Sequence, residues 1–346
     1  MAIRIWIDAL TPKQALFAKA MVERAPAKFE IQVTSRNYSE LNRLVARLGL
    51  KFVSLGKHGG GDLVSKLKAS VAREQELISF ATGFDYSFSF ISPEAARVSF
   101  GLGIPHFICS DSPHAIAPCR LAVPLSRLLF SPFPISKKRW TQYGLKNSQI
   151  LKYHALDPWV WLSESKLHPS PRVKGRVLIR LEEWFASYFK QGHGISSSLE
   201  KLISGIEKIG DFEVALIPRY DEQREWARRE FSNRARIAED AIDGIAEIAQ
   251  SDLLIGGGAT MTQEAALMGV PNISYFPSAR LDVFEDYYFP KKLSVEATNS
   301  STLLKTTFAI LKNIDREKSR FIDAAKRETS TFEDPVKFIF ANLPEL

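Results

Sequence analysis

Residues 250–277 read QSDLLIGGGATMTQEAALMGVPNISYFP, a stretch that predicts a buried strand, a glycine loop, a helix, a turn and a second strand. The three glycines at 256–258 remove every Cβ from the loop, so a ligand can lie directly on the backbone. Thr260 and Gln263 fit a capping box, which predicts that the helix begins at Thr260. Gly269 fits the end of that helix. The stretch therefore indicates an α/β fold with parallel strands.

The glycine loop is also a candidate anion site. The N–H groups of the loop and of the first helical turn point into the space above the sheet, and the helix dipole adds partial positive charge there. A diphosphate is the expected guest, and Glu264 is placed one turn into the helix to reach a ribose hydroxyl. The alternative is a tight turn that binds nothing, since loose glycine patterns recur by chance.

Composition limits the class of protein. The chain has 346 residues, enough for two domains of ordinary size. Its formal charge is +7, and basic and acidic residues are interspersed along the chain. This moderate excess of positive charge is compatible with anionic ligands or an anionic membrane surface and does not form a nucleic-acid-binding tail. Cys109 and Cys119 make no disulfide framework, and no apolar run reaches the roughly 18–20 residues of a membrane helix. We expect a cytoplasmic protein with at most a peripheral contact on the inner membrane face.

Polar residues follow the first predicted strand, IRIWI at 3–7. Thr11 and Pro12 are strong signals for the start of a helix. Asp8, Thr11 and Lys13 should then lie at the carboxyl edge of a sheet, where open α/β folds bind ligands. We take Thr11 and Lys13 as candidate substrate-binding residues. The alternative for Lys13 is a solvated lysine in the first turn.

A second polar group, Asp111-Ser112-Pro113-His114, follows the predicted strand that ends near Ser110. Asp111 and His114 lie three residues apart on a loop, where they could orient and deprotonate a hydroxyl group. The alternative is an Asx-type turn with an incidental histidine.

A basic aromatic cluster at 137–140, Lys-Lys-Arg-Trp, is a candidate contact with lipid headgroups, and an ordinary solvated face is the alternative. Residues 154–176 are rich in proline and mixed charge and predict a linker. We expect an N-terminal Rossmann-like domain over 1–160, a C-terminal one over 172–325, and a last helix within 326–346.

Three stretches of the sequence also resemble those of a known protein family. GGGATMTQEAALMGVPNISY resembles the signature of proteins with the GT-B fold, which include nucleotide-sugar glycosyltransferases and non-hydrolysing UDP-N-acetylglucosamine 2-epimerases. Together with IWIDALTPKQALF and CSDSPHAIAPCRLAVPLSRLLFSP, it is similar to an uncharacterised GT-B-like family over most of the chain. The resemblance implies two Rossmann-like domains with parallel sheets facing across a cleft, and a last helix that crosses back to the first domain.

The resemblance places a nucleotide sugar, expected to be UDP-linked, on the C-terminal domain and the acceptor on the N-terminal domain. It implies catalysis without a bound metal or cofactor. For the general base of such a transfer the candidates are Asp111 and His114 acting together, with Asp8 as a third candidate. The residues that it places on the nucleotide-sugar side are Gly257, Gly258, Ala259, Thr260, Met261, Glu264, Arg180, Arg219 and Tyr220.

The predicted function is transfer of a sugar to an unknown acceptor, such as a sugar or a lipid-linked molecule. An epimerase is one alternative, although epimerases open with a Gly-Thr-Arg-Pro-Glu loop and this chain has Ala-Leu-Thr-Pro-Lys at 9–13. A non-catalytic nucleotide-sugar-binding or assembly protein is the other. The sequence leaves the sugar, the acceptor and the oligomeric state open.

Overall fold

The structure is a computed structural model that describes residues 2–37, 39–60, 62–163, 175–182, 194–239, 242–275 and 283–344. The chain forms two compact units. The first unit comprises Met1–Ser163 and Phe332–Leu346, and the second unit comprises Glu164–Thr331. None of the described helices is long and apolar enough to cross a bilayer.

Each unit contains one sheet. Within the described residues the strands are β1 (Ile3–Asp8), β2 (Phe29–Asn37), β3 (Phe52–Lys57), β4 (Tyr86–Ser89), β5 (His106–Cys109), β6 (Leu128–Pro132), β7 (Ile150–Tyr153), β8 (Gly175–Arg180), β9 (Phe212–Ile217), β10 (Arg236–Ile237), β11 (Leu253–Gly256), β12 (Asn272–Tyr275) and β13 (Val295–Ala297).

The helices of the described residues cover the sheets. They are α1 (Pro12–Glu23), α2 (Ser39–Leu48), α3 (Leu63–Ala81), α4 (Pro93–Gly101), α5 (Ile116–Ala122), α6 (Lys138–Thr141), α7 (Trp159–Leu162), α8 (Leu199–Ile209), α9 (Asp221–Phe231), α10 (Gly244–Ala249), α11 (Ala259–Leu267), α12 (Ser300–Lys312), α13 (Ile314–Thr329) and α14 (Pro335–Ala341). The last of them, α14, lies in the first unit against α7 and β7.

Both sheets are parallel and share one topology. The first has the order β3-β2-β1-β4-β5-β6-β7 and the second β10-β9-β8-β11-β12-β13. The strand order reverses between β1 and β4 in the first unit and between β8 and β11 in the second. A Rossmann-like sheet binds ligands at the carboxyl edge beside such a reversal. The residues that follow β1, β8 and β11 are therefore placed where binding is expected.

Alternating side chains of β1 supply both layers of the first core. Ile5 and Ile7 pack on the layer that contains α1 and α14, whereas Trp6 packs under α3 and α4. All three side chains are buried, as expected for a strand covered on both faces. The order of helices follows from right-handed crossovers, which place α3, α4 and α5 on the opposite face from α1.

A buried ion pair closes the carboxyl end of β1. Both Asp8 oxygens accept hydrogen bonds from Arg73 of α3, at 2.5 and 3.1 Å, and neither side chain is more than 2% exposed. Thr34 donates to Asp8 Oδ1 at 2.7 Å and accepts from Trp6 Nε1 at 2.7 Å. The carboxylate of Asp8 is thus held in a buried structural pair, and its role as a third candidate base stays a prediction.

Two stretches differ from the sequence expectation. No strand was expected at β7, and α7 lies inside the stretch 154–176 that was expected to be a linker. Proline in such a stretch favours irregular chain, but Pro158 is the N-cap of α7, a position that suits its fixed φ. In the second unit, Phe284–Tyr288 forms a π-helical turn.

Replacing Arg73 by Met should lower the free energy of unfolding by about 3–5 kcal/mol, because it leaves the Asp8 carboxylate buried without its cation. Urea unfolding of the full chain measures the loss. The double variant Arg73→Met/Asp8→Asn should recover part of it, since an uncharged amide can still accept from Thr34. Arg229→Met, at an exposed arginine paired with Glu230, is the control and should cost well under about 1 kcal/mol. Equal effects of the two single variants would contradict a structural role for the Asp8 pair.

Candidate functional site

The glycine loop of the second unit leads directly into α11. The helix begins at Ala259, with Gly258 as N-cap, and no side chain of the described residues forms a capping hydrogen bond there. The predicted N-cap at Thr260 is therefore wrong. The Thr262 hydroxyl donates back to the Gly258 carbonyl at 2.9 Å and therefore does not cap the N–H groups of the first turn. Uncapped N–H groups and the helix dipole make this end of α11 attractive to an anion.

Arg219 brings a positive charge to the same loop. Its Nε donates to the Leu181 carbonyl at 3.0 Å, and its backbone N–H donates to Gln223 Oε1 at 2.8 Å. With the arginine held in this way, Nη2 lies 2.1 Å from the position that a Cβ on Gly258 would occupy. Glycine at 258 is therefore what allows the guanidinium to lie against the loop backbone.

The end of β8 lies against the other side of the loop. The Gly257 N–H donates to the Arg180 carbonyl at 2.9 Å, and a Cβ at 257 would lie 2.7 Å from the Glu182 nitrogen. The Arg180 side chain is 8% exposed and donates from Nη1 to the Pro218 carbonyl at 2.8 Å. Arg180 thus ends β8 and Arg219 follows the adjacent strand β9, at the edge where α11 begins.

The other predicted residues of the second unit lie nearby along α11 and α9. Ala259 and Thr260 are half-buried in the first turn, and Met261 packs against the core beneath α10 and α11. Glu264 is 3% exposed, so its carboxylate has little access to solvent, and a contact with ribose stays a prediction. Tyr220 is the N-cap residue of α9.

In the first unit, Lys13 joins the ends of three strands. Its Nζ lies 2.6 Å from Asp111 Oδ2, after β5, and 2.7 Å from Asp157 Oδ2, after β7, while Lys13 itself lies in α1 after β1. The structure thus brings together Lys13 and Asp111, two of the predicted site residues. Asp157 was missed because β7, the strand that precedes it, was not predicted.

The charges of this cluster do not cancel. Burial alone would lower the pKa of Lys13, but Asp111 and Asp157 outweigh it and raise that pKa above its ordinary value. Burial raises the pKa of Asp157, and Asp111 acts in the same direction against the opposing effect of Lys13. One ammonium group therefore faces two carboxyl groups. Lys13 is a fixed cation here, so the group available to accept a proton is a carboxylate.

Hydrogen bonds orient the two carboxyl groups. Ser112 Oγ donates to Asp111 Oδ1 at 2.8 Å, and the Tyr153 hydroxyl donates to Asp157 Oδ1. Asp157 is nearly sealed, with a side chain 3% exposed, whereas the Asp111 side chain is 9% exposed. Asp111 is thus the member of the carboxyl pair with more access to a substrate.

Two further predicted residues flank the cluster in sequence. His114 is exposed on the loop after Asp111, and Thr11 caps α1 by accepting from the Gln14 N–H at 3.4 Å. The Thr11 hydroxyl therefore has a structural role at the start of α1. Both stay candidates for contact with a substrate.

Comparison with known proteins identifies the family. A family model described as "Protein of unknown function (DUF354)" matches residues 3–344. The chain belongs to this family. It is also similar to the uncharacterized protein MJ0665 of Methanocaldococcus jannaschii, with 26% identity over 312 residues that cover 85% of this chain and 87% of that protein.

Solved structures confirm the expected GT-B-like fold of two Rossmann-like units. A proposed UDP-N-acetylglucosamine 2-epimerase from Listeria monocytogenes has a TM-score of 0.76 at 16% identity and covers 99% of this chain and 95% of its own. The S. aureus MnaA structure with UDP has a TM-score of 0.74 at 12% identity, with 98% and 95% covered. The spinosyn rhamnosyltransferase SpnG with thymidine diphosphate has a TM-score of 0.63 at 12% identity, with 98% and 99% covered.

The structure corrects the place of Trp140 in the predicted lipid-contact cluster at 137–140, whereas contact of the basic residues with lipid stays a prediction. Trp140 is fully buried and donates from Nε1 to Ser131 Oγ at 3.0 Å, and Lys137 donates to the Asn147 carbonyl at 2.9 Å. The tryptophan belongs to the core under α4 and α5 and is not available to a headgroup. Among the described residues no group of three or more His, Cys, Asp or Glu is arranged to hold a metal ion.

Replacing Lys13 by Met should destabilise the fold in a pH-dependent way. Without the cation, Asp111 and Asp157 repel each other and hold protons more tightly in the folded state than in the unfolded state, so stability falls as pH rises through their pKa range. Urea unfolding should show a loss of about 3 kcal/mol near pH 8 and a smaller loss near pH 5.

Two variants control for other causes. Lys13→Met/Asp157→Asn removes the like-charge repulsion and should regain stability at the higher pH. Lys19→Met removes a half-exposed partner of Glu23 on the same helix and should cost less than about 1 kcal/mol at either pH. A pH-independent loss in Lys13→Met would show that the carboxyl groups are not coupled through Lys13.

Proposed function

We propose that the second unit binds a nucleoside-diphosphate sugar and that the protein is a glycosyltransferase acting on an acceptor hydroxyl. The observation that carries this proposal is the uncapped start of α11, with the Arg219 guanidinium held against Gly258. A helix N-terminus that no described side chain caps, a backbone open to close approach and a fixed arginine together match the charge and shape of a diphosphate.

Further features support a nucleotide as the guest. Arg180 ends the neighbouring strand and adds a second positive charge at the same edge of the sheet. Proteins of similar fold were solved with UDP, with UDP-N-acetylglucosamine and with thymidine diphosphate. A UDP-linked sugar is the donor to test first.

The first unit supplies the acceptor side in this proposal. Asp111 accepts the proton of the attacking hydroxyl, and Lys13 and Ser112 hold its carboxylate in place. The hydroxyl oxygen forms a bond to the anomeric carbon of the donor as the bond from that carbon to the diphosphate breaks. The N–H groups of α11 and Arg219 stabilise the charge that develops on the leaving diphosphate. The acceptor is a sugar or a lipid-linked molecule.

Epimerisation is a second candidate reaction on the same ligand. It requires more than one acid or base near the sugar, and the Asp111–Asp157 pair on Lys13 offers two carboxyl groups. A non-catalytic nucleotide-sugar-binding protein is the third. Their common requirement is the nucleotide site, so binding is the property to measure before turnover.

UDP or a UDP-sugar should raise the melting temperature of the wild type by several degrees at saturating concentration, because it binds only the folded state. Arg219→Ala should weaken binding by about 10- to 100-fold through loss of a charge-assisted hydrogen bond. Gly258→Ala should have a similar effect, because the new methyl group takes the place of Nη2. Titration calorimetry with UDP, GDP, dTDP and CDP measures the affinities.

Arg229→Ala, which removes an exposed arginine of α9, is the matched control and should bind as the wild type does. Glu264→Gln tests the predicted ribose contact without opening a cavity. Absence of binding by every nucleotide to wild type, or wild-type affinity in Arg219→Ala, would reject this nucleotide site.

Deuterium incorporation and UDP release in D₂O distinguish the three candidate functions. The wild type is incubated with the UDP-sugar that binds, in D₂O, and followed by proton NMR. A transferase should release UDP, to acceptor or slowly to water, with no deuterium at carbon 2 of the sugar. Asp111→Asn should slow that release by about 10²- to 10⁴-fold and leave UDP affinity unchanged. Deuterium at carbon 2 would instead identify an epimerase, and binding with neither change would favour a binding protein.

A further inference from the structure

The helix α3 is poorly covered within its own unit. It has 19 residues, and its buried side chains, Arg73, Leu77 and Ala81, all lie in the C-terminal half. The first half therefore gains almost no packing from the unit that carries it. Helices of this length are marginal in water unless an apolar face is packed. The first half of α3 thus lacks the covering that stabilises a helix.

The uncovered side of α3 is apolar. Leu63, Leu67 and Val71 recur at helical spacing and are 80%, 67% and 52% exposed, and Ile78 continues the same stripe at 48%. Val64, at 60%, lies beside them. Leucine and valine in a solvated stripe of this kind are unusual for a helix whose opposite side is packed on a core.

The apolar surface continues over the next two helices. α3 packs against α4, and α4 packs against α5. Phe100 at the end of α4 is 63% exposed, and Ile116 and Leu121 of α5 are 54% and 61% exposed. We name this surface, formed by Leu63, Leu67, Val71, Phe100, Ile116 and Leu121, the α3–α5 face. Large apolar side chains that are exposed together on neighbouring helices are typical of a surface that a partner covers.

The charges around this face favour a protein of the same kind over an anionic bilayer. The first half of α3 carries Lys66 and Lys68, and the second half carries Glu74 and Glu76. An anionic lipid surface would be attracted by the lysines and repelled by the glutamates, so its charge does not match this face. A second copy that packs its α3 antiparallel brings the lysine half of each helix towards the glutamate half of the other.

We propose that the α3–α5 face is the two-fold interface between two copies of this chain. A two-fold axis perpendicular to α3 makes the face self-complementary, since the same apolar stripe and both charge signs are present on each copy. The exposed apolar residues of the three helices then become the centre of the interface, with the charged residues of α3 at its rim.

Sedimentation velocity and light scattering on the full chain test this proposal. The molar mass measured for the wild type should be twice that of one chain. Leu67→Glu should raise the dimer dissociation constant at least 100-fold, and Leu67→Glu/Leu121→Glu should give single chains throughout. Both positions are exposed, so these variants remove no packing within the chain, and circular dichroism should show unchanged helix content. Ile322→Glu, at an apolar residue of α13 that is 40% exposed, is the matched control and should stay dimeric.

Two results would overturn the proposal. One is a wild type with the mass of a single chain at high micromolar concentration. The other is a dimer that Leu67→Glu leaves intact, which would place the interface elsewhere. Sedimentation with phosphatidylglycerol vesicles completes the test: a single-chain wild type that binds vesicles, when Leu67→Glu does not, would assign the face to lipid and reject a second copy. The test does not depend on nucleotide binding.

Discussion

Parallel strands impose the constraint on which both units depend. Because every strand of a parallel sheet runs the same way, the residues that follow the strands meet at one edge, however far apart they lie in sequence. Lys13, Asp111 and Asp157 meet for this reason, since each follows a different strand of the first sheet. Arg180 and Arg219 lie at the ends of neighbouring strands of the second sheet in the same way. The functional candidates are thus a consequence of the fold and not an addition to it.

Exposure decides which charged groups at this edge can do chemistry. The Asp8–Arg73 pair and the Asp111–Lys13 pair both lie at the carboxyl edge of the first sheet. The first is sealed, with side chains 0% and 2% exposed, whereas Lys13 is 20% exposed and Asp111 9%. A sealed pair contributes to folding, because its charges are satisfied by each other and by Thr34. A pair with partial access can exchange one of its contacts for a substrate.

Local sequence patterns predicted the elements better than the contacts between them. The strands, the glycine loop and the edge position of Lys13 follow from periodicity and turn residues, and the structure agrees. The sequence did not predict Asp157, because the strand before it, β7, is short, contains Lys152 and ends beside a proline-rich stretch that resembles a linker. Arg73 could not be predicted as the partner of Asp8, since no local rule connects residues that lie 65 positions apart. For the same reason the requirement for glycine at 258 could not be predicted, since it comes from Arg219, which follows β9 and is distant in sequence.

The charges of the two units separate their roles even though their folds are alike. In the first unit the edge cluster has two carboxyl groups for one lysine, and Arg73 does not offset this excess because it is paired with Asp8. A diphosphate placed there would meet an excess of negative charge, whereas a neutral hydroxyl would meet a proton acceptor. In the second unit the helix start and Arg219 favour an anion. The charges of the described residues therefore favour a proton acceptor at the edge of the first sheet and an anion at the edge of the second.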